Sequence, residues 1–564
     1  MRFRAIVSSS LLMLSTVLGS TFTTGSKEDL PVIDLGYELH QSLSYNKSSE
    51  VYLFQNIRYA QPPTGERRFR APAAPKIDRT AVRNGSELRN CPQGMPVWQA
   101  KAYGPIRKFS DPRNSFNLTA WEEAIATARI PELELNAETT EDCLFLDVHV
   151  QKGIFDRAQQ DLQSSQSSDG APVLVWIHGG GYTLGSKTGA PTPVFFPDGL
   201  LAQADSSDEG MVFVALNYRL GALGFLAGPE VAADGDLNAG LLDQRLALEW
   251  VQKHIHLFGG SAKRVTVMGE SAGGGSAILQ TAAFGGKKGP APFAQIIAQS
   301  PAAMPNAQPV PNAFSDFLAA LNVSTLDEAR RAASSDVIRA NEVQIDAAPA
   351  VNYNFGPVLD GTFMPNTIGK ALSSGAYDKS VQVLSSHNLF EGGFFYDPTV
   401  RTEDEFRAWL DRSIIGLDQA QTDYLSATLY PPNFDGSLGY VDQATRQMAL
   451  WEEAVILCHF QSLNQAVGGN SYAYEFGIPP GFHTQDLKYT FNDPTSPVPF
   501  PQAQDLIQRS IATFVKIGIP VLDSKEQTYP VWGSNHSTLK VAEIGAQVGR
   551  SGINETRCTW WRDV

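Results

Sequence analysis

The sequence predicts an α/β protein with a mainly parallel central sheet flanked by helices. Three observations point there. Uninterrupted apolar runs at 173–177 and 211–216 read as strands covered on both faces, as strands of a parallel sheet do. An amphipathic segment over 241–255 separates them from a third run at 265–268, which is strand and helix alternation. Two glycine-rich stretches, His178-Gly179-Gly180-Gly181-Tyr182 and Gly269-Glu270-Ser271-Ala272-Gly273-Gly274, each follow directly on a strand, where the active-site loops of such sheets gather.

At 564 residues, 18% of them charged and 10% aromatic, the chain fits one large α/β domain with insertions. Its formal net charge of -15, with no basic stripe, argues against nucleic-acid or anionic-membrane partners. Arg2 and Arg4, an apolar run over 5–18, and small Gly19 and Ser20 read as a secretory signal peptide over 1–20, leaving a single domain over 21–564. The run is too short for a membrane span and no later stretch approaches one, so no stable membrane anchor is expected. Secretion is supported by six glycosylation acceptors: Asn46, Asn84, Asn117, Asn322, Asn535 and Asn554.

Four cysteines in an oxidising compartment make two bridges most simply. Of three possible pairings, the one joining sequence neighbours is favoured, Cys91 with Cys143 and Cys458 with Cys558. The first would close a loop of some fifty residues, about 4 kcal/mol on a chain-entropy basis. The spacings match no zinc site, and neither metal nor cofactor is expected.

In chain order, 36–55 alternates like strand material, and Pro62-Pro63 ends any regular element. The polar stretch 91–143 contains one amphipathic piece, 121–130, with Trp121, Ala124, Ile125 and Ala128 on one face. It reads as surface decoration or as a disulfide-tethered flap over an active-site mouth. After strands at 144–150 and 173–177, the three glycines at 179–181 let backbone N–H groups face a cavity. Their spacing fits neither a dinucleotide fingerprint nor a Walker loop. The 211–216 strand ends at Asn217-Tyr218-Arg219. The helix at 241–255 places Leu242, Leu246 and Trp250 beside Ala247 and Val251, with Asp243, Arg245 and Glu249 on the other face, and glycines at 259–260 stop it.

The run 265–274 then reads as strand, sharp turn and helix, with Ser271 at the turn. This is the pattern of a nucleophile elbow, in which glycines two residues either side would allow close packing and the Ala272 N–H would share the serine's corner. Alone, the pattern also fits an ordinary glycine-rich turn. A nucleophilic serine needs a base, and the base a carboxylate. Of nine histidines, His178 adjoins the glycine loop, His254 and His256 end a surface helix, His459 lies in a helical stretch and His536 in an acceptor triplet, while His387 shares a segment with the acid candidate. His483 sits on the loop after the 472–476 strand, late in the chain, where a Ser-acid-His order following a nucleophile elbow puts the base. Glu391 follows the 381–384 strand in a loop walled by Phe394 and Phe395, and Asp360 is the runner-up acid. Singly, each could be a surface loop residue; Ser, Glu and His in this order after three strands are hard to read so.

These motifs resemble those of the type-B carboxylesterase family, which includes cholinesterases, liver-type carboxylesterases and fungal lipases. Matching stretches lie at 54–69, 141–148, 178–182, 217–225, 238–245, 258–274, Glu391-Gly392 and His483, covering most of the mature chain. The resemblance implies an α/β-hydrolase fold, a Ser271 nucleophile, a Glu391 acid, a His483 base, and an oxyanion hole from the N–H groups of Gly180, Gly181 and Ala272. It also implies that Cys91 and Cys143 form the family's first disulfide; Cys458 and Cys558 have no place on that pattern. Two departures stand out: Ser261-Ala262 replaces the usual Asp-Pro, and Pro92-Gln93-Gly94 after Cys91 leaves no counterpart to the choline-binding Trp. The expected activity is hydrolysis of small-molecule carboxylic esters by a secreted enzyme through an acyl-enzyme. The alternatives are a lipase or sterol esterase, a biosynthetic enzyme passing the acyl group to an alcohol, and a binding module without activity.

Overall fold

Eleven strands form one sheet in the computed structural model, which describes residues 30–102, 138–164, 169–189, 195–205, 209–491, 496–523 and 527–564. The expected signal peptide, the 121–130 piece and Asn117 lie outside the described residues. In chain order the strands are β1 (Ser44–Asn46), β2 (Val51–Arg58), β3 (Phe145–Gln151), β4 (Ala171–Ile177), β5 (Val212–Leu216), β6 (Gly260–Glu270), β7 (Gln295–Gln299), β8 (Gln382–Asn388), β9 (Ser471–Phe476), β10 (Ser537–Ala542) and β11 (Gly545–Arg550). Across the sheet they run β11-β10-β9-β8-β7-β6-β4-β5-β3-β2-β1. The seven from β10 to β5 are parallel, with antiparallel strands at each edge. Three short strands near the N-terminus make a separate small sheet.

Strand β4 shows why the sheet is covered on both sides. Alternate side chains point to opposite faces: Val173, Val175 and Ile177 join one core with α1 (Ala239–His254) and α2 (Ala272–Thr281), while Leu174 and Trp176 join another with α5 (Pro501–Ile517). Between α2 and α5 in the chain, α3 (Gln443–Glu452) passes through a π-helical turn, Glu453–Leu457, into α4 (Cys458–Val467), and α6 (Glu555–Asp563) closes the chain. Both expected disulfides are formed, Cys91 to Cys143 and Cys458 to Cys558. Among the described residues no helix is long and apolar enough to cross a membrane.

Helix α1 departs from the sequence expectation. Its buried face carries Leu241, Gln244, Leu248 and Val251, while Leu242 and Leu246 are only partly buried. Asp243, expected on the solvent face, is fully buried. It accepts hydrogen bonds from Arg219 Nε at 2.8 Å, Nη2 at 2.7 Å and the backbone N–H at 3.0 Å. The loop leaving β5 drives Arg219 under the helix, so a charged pair fills space that periodicity assigned to water. His254 is likewise buried, against Tyr37 and Trp250, rather than at the surface.

Candidate active site

Ser271 lies between the end of β6 and the start of α2, with φ 57° and ψ -125°, a conformation that costs a non-glycine residue about 1–3 kcal/mol. The surroundings hold it there. Its N–H donates to Gln299 O at 3.0 Å, and its carbonyl accepts from Ala302 and Gly275, both at 2.9 Å. The flanking glycines are obligatory: a Cβ on Gly269 would stand 2.3 Å from the Gly273 backbone, and one on Gly273 2.0 Å from Ile177 O.

The structure brings His483 and Glu391 to this serine. His483 follows β9 on a loop tied to the acid loop by Phe390 N–H to Gly481 O at 2.8 Å. Its Nε2 is 2.8 Å from Ser271 Oγ and its Nδ1 is 2.6 Å from Glu391 Oε2. Glu391 opens a 3-10 turn just beyond β8, and its other oxygen accepts from Ser300 Oγ and the Asn388 N–H, each at 2.6 Å. All three side chains are buried. Asp360, the runner-up acid, instead accepts from Asn238 Nδ2 at 2.7 Å and from the N–H groups of Thr362 and Met364 at 2.7 and 2.8 Å, closing a turn elsewhere. No other described histidine bonds Ser271. His178 stacks on Tyr218, His387 lies edge-on to Phe460, and His459 Nε2 reaches Ala303 O.

The electrostatics separate four carboxyls around the site, of which Glu391, Glu270 and Asp486 are buried and Glu452 is half-buried. Burial opposes ionisation of Glu391, but the facing imidazole and the Ser300 and Asn388 donors outweigh it, holding Glu391 below the usual carboxylate range. Burial pushes Glu270 up to about 8, Asp486 to about 7 and Glu452 to about 8, so Glu391 is the carboxylate best kept as an anion at neutral pH. Burial would depress His483, yet the carboxylates of Glu270 and Glu391 prevail and raise it.

The glycine loop after β4 supplies the third side of the site. Gly180 and Gly181 have φ of +109° and +60°, and a side chain on Gly181 would strike the Tyr353 ring. Gly181, Ser271 and Ala272 line one cavity of about 80 Å³. Such a corner, with glycine-loop amides and a helix N-terminus beside a serine oxygen, suits negative charge developing on an acyl oxygen. Sequence reasoning missed Ser300, Asn388, Glu270 and Asp486. Ser300 could have been found from its position immediately after β7, level with the exits of β6 and β8. Asp486 carries no signal beyond lying three residues after His483. Among the described residues no group of three His, Cys, Asp or Glu side chains is arranged to hold a metal ion.

Comparison with known proteins matches residues 40–561 to the model of the Carboxylesterase family. The chain is 37% identical to "Carboxylesterase patB" of Aspergillus clavatus over 98% of this chain and 100% of that protein. It is also 37% identical to the Penicillium expansum protein of that name, over 98% of this chain and 99% of that one. "Secreted lipase 4" of Gibberella zeae is 28% identical over 98% of this chain and 97% of its own length. Among solved structures, Aspergillus niger EstA superposes with a TM-score of 0.74 at 23% identity, covering 95% of this chain and 99% of that one, which speaks to the fold.

Proposed function

The chain belongs to the carboxylesterase family and hydrolyses carboxylic esters, and on that premise we propose that Ser271, His483 and Glu391 are its nucleophile, base and orienting acid. The observation carrying this reading is the unbroken hydrogen-bonded path from Ser271 Oγ through the imidazole to the Glu391 carboxylate. With its Nδ1–H bonded to Glu391, neutral His483 offers the Nε2 lone pair to the serine hydroxyl. As Ser271 Oγ bonds to the ester carbonyl carbon, its proton passes to Nε2, and the carbonyl oxygen becomes an oxyanion. The N–H groups of Gly180, Gly181 and Ala272 receive that charge, each contributing about 3 kcal/mol. Collapse breaks the bond to the alkoxy oxygen, which leaves with the Nε2 proton and gives an acyl-enzyme. Water then attacks with His483 again as base, releasing the acid and restoring Ser271. No step calls on a cofactor.

Two disulfides and a relative named as secreted support the reading of residues 1–20 as a signal peptide and of the enzyme as an extracellular glycoprotein. Residues 21–564 read as one domain, since strands from both ends of the chain join a single sheet. We read the stretch between Cys91 and Cys143, most of which lies outside the described residues, as a flap tethered by the first disulfide rather than as surface decoration. Labelling with a fluorophosphonate, followed by peptide mapping, tests the assignment: modification is expected at Ser271 and nowhere else. Ser271→Ala should abolish labelling and lower kcat by about 10⁶ with an unchanged melting profile; near-normal turnover by that variant overturns it.

A further inference from the structure

The acid of the triad stands on a short turn after β8, and one stripe of helix α3, residues 447, 448, 451 and 452, grips the chain from that turn onward. Gln447 Oε1 accepts the Asp397 N–H at 2.9 Å. Met448 O lies so close to Gly392 that a Cβ there would stand 2.3 Å away. Trp451 stacks on Phe395 with ring centroids 3.6 Å apart, and Phe395 in turn meets the His483 ring edge to face at 5.4 Å. Glu452 Oε2 accepts the Gly392 N–H at 2.8 Å. Immediately after Glu452 the helix widens into the π-helical turn, and Glu453 points away from the acid to pair with Arg557 at 3.2 Å. Of two adjacent glutamates, one therefore serves the acid turn and the other the C-terminal helix.

Gly392 is buried and directly follows Glu391, so its N–H needs an acceptor. Taking Glu452 away leaves that donor unsatisfied one peptide from the catalytic carboxylate. The carboxylate itself is fixed from another side, by Ser300 Oγ and the Asn388 N–H. We propose that Glu452 is a positioning residue for the triad: it fastens the Gly392 peptide to α3 and so keeps Glu391 aimed at His483, while Trp451 holds the Phe395 wall separately. This rests on the reading of Glu391 as the orienting acid and adds the part of the fold that aims it. Glu452 acts here as a hydrogen-bond acceptor and not as a charge. Burial, with Glu453 and Glu391 nearby, pushes its carboxyl up to about 8, so at neutral pH it is mostly protonated and an amide is its close counterpart.

The test compares Glu452→Gln, which keeps an acceptor oxygen, with Glu452→Leu, which has none, in the full-length enzyme and again beside Glu391→Ala. Hydrolysis of p-nitrophenyl butyrate is measured per active site, with sites counted by fluorophosphonate labelling run to completion, so unfolded protein does not enter the rates. Glu452→Leu should lower kcat by roughly ten- to a hundredfold and leave KM within about twofold, as misalignment of a catalytic group does when the substrate wall stays in place. Glu452→Gln should recover most of that loss. Beside Glu391→Ala, adding Glu452→Leu should cost less than about twofold, because no carboxylate is left to aim. The acid limb of kcat/KM should move to lower pH in Glu452→Leu and stay in place in Glu452→Gln, since only the first lets the Glu391 anion drift from the imidazole; Glu270 and Asp486, which also face His483, are common to both. Wild-type kcat in Glu452→Leu, equal losses in the two variants, or the full loss persisting beside Glu391→Ala overturns the proposal. Should Glu452→Leu not fold, Glu452→Ala poses the same comparisons. Wild-type kcat in Glu391→Ala overturns the triad reading instead.

Discussion

His483 Nδ1 lies 2.6 Å from Glu391 Oε2, and Glu391 Oε1 takes the Ser300 hydroxyl and the Asn388 N–H at the same distance. Every strong contact of this carboxylate is therefore committed. It stays anionic in a buried site, fixes the tautomer with hydrogen on Nδ1, and leaves Nε2 facing Ser271. Glu391→Gln keeps the shape and removes the charge. Its kcat should fall by about 10³–10⁴-fold. The pH dependence gives the sharper check. In the wild type the facing carboxylates hold the imidazole above its ordinary value of 6.5. Activity is thus lost as pH falls through a value higher than that. Removing the Glu391 anion lowers the imidazole's proton affinity, so the acid limb of kcat/KM should move to lower pH. A limb that stays in place would mean Glu391 does not face the base electrostatically.

The elbow makes a separate demand on the fold. The Cα of Gly273 presses on strand β4 so closely that an added Cβ would stand 2.0 Å from Ile177 O, a backbone atom that cannot swing aside. Gly273→Ala must separate α2 from the sheet and displace Ser271. A loss of about 1–3 kcal/mol or more is expected, as for other overpacked cores. It should appear as a lower Tm together with reduced fluorophosphonate labelling. Wild-type melting by this variant would contradict the packing described.

How far these features could be read from the chain differs by kind. The elbow, the glycine loop and the strands beneath them were legible because each is local: an apolar run, then glycines where a side chain would collide. Glu391 and His483 were legible because chain order and strand exits confine them. Ser300 and Asp486 were not, since a residue that supports a catalytic group through space needs no sequence pattern of its own. The inward Asp243 is similar. Periodicity assigns a carboxylate to water, and only the burial of Arg219 beside it reverses that. The cavity lining is the least legible part, because Gly181, Asn306, Asn354, Phe395 and Trp451 come from segments spread over much of the chain.

The second disulfide bears on that lining. Cys558 on α6 joins Cys458 at the start of α4, immediately after the π-helical turn that carries Val455, and Trp451 lies just before that turn. Beside the bridge, Glu453 accepts from Tyr430 Oη at 2.6 Å and pairs with Arg557 at 3.2 Å, while Trp561 Nε1 donates to Tyr430 Oη at 2.9 Å. The C-terminal helix is thus pinned behind one wall of the cavity. With a sequence separation of 100, loss of the crosslink in Cys458→Ala/Cys558→Ala should cost up to about 5 kcal/mol. Denaturant unfolding monitored by tryptophan fluorescence would show it as a lower midpoint. An unchanged midpoint would show that the surrounding ion pair and hydrogen bonds hold the helix unaided.

Acid stability follows from two other histidines. Burial depresses His178 and His459 from 6.5 to about 4, and each is held neutral by packing, His459 donating from Nε2 to Ala303 O at 2.9 Å. For a histidine with a depressed folded pKa, neither state binds the proton well above 6.5, so stability there is undiminished. As pH falls below 6.5 the unfolded chain takes up protons that the folded chain refuses, and stability declines until the folded pKa near 4 is reached. Each histidine contributes a slope approaching about 1.4 kcal/mol per pH unit in that window. His459→Gln retains an N–H donor for Ala303 O and cannot titrate. It should flatten the decline in unfolding free energy between pH 6 and pH 4 by about that amount, while stability at pH 8 changes much less. Urea titrations at a series of pH values would measure both, and an acid slope equal to that of the wild type would show that His459 titrates alike in the folded and unfolded chains.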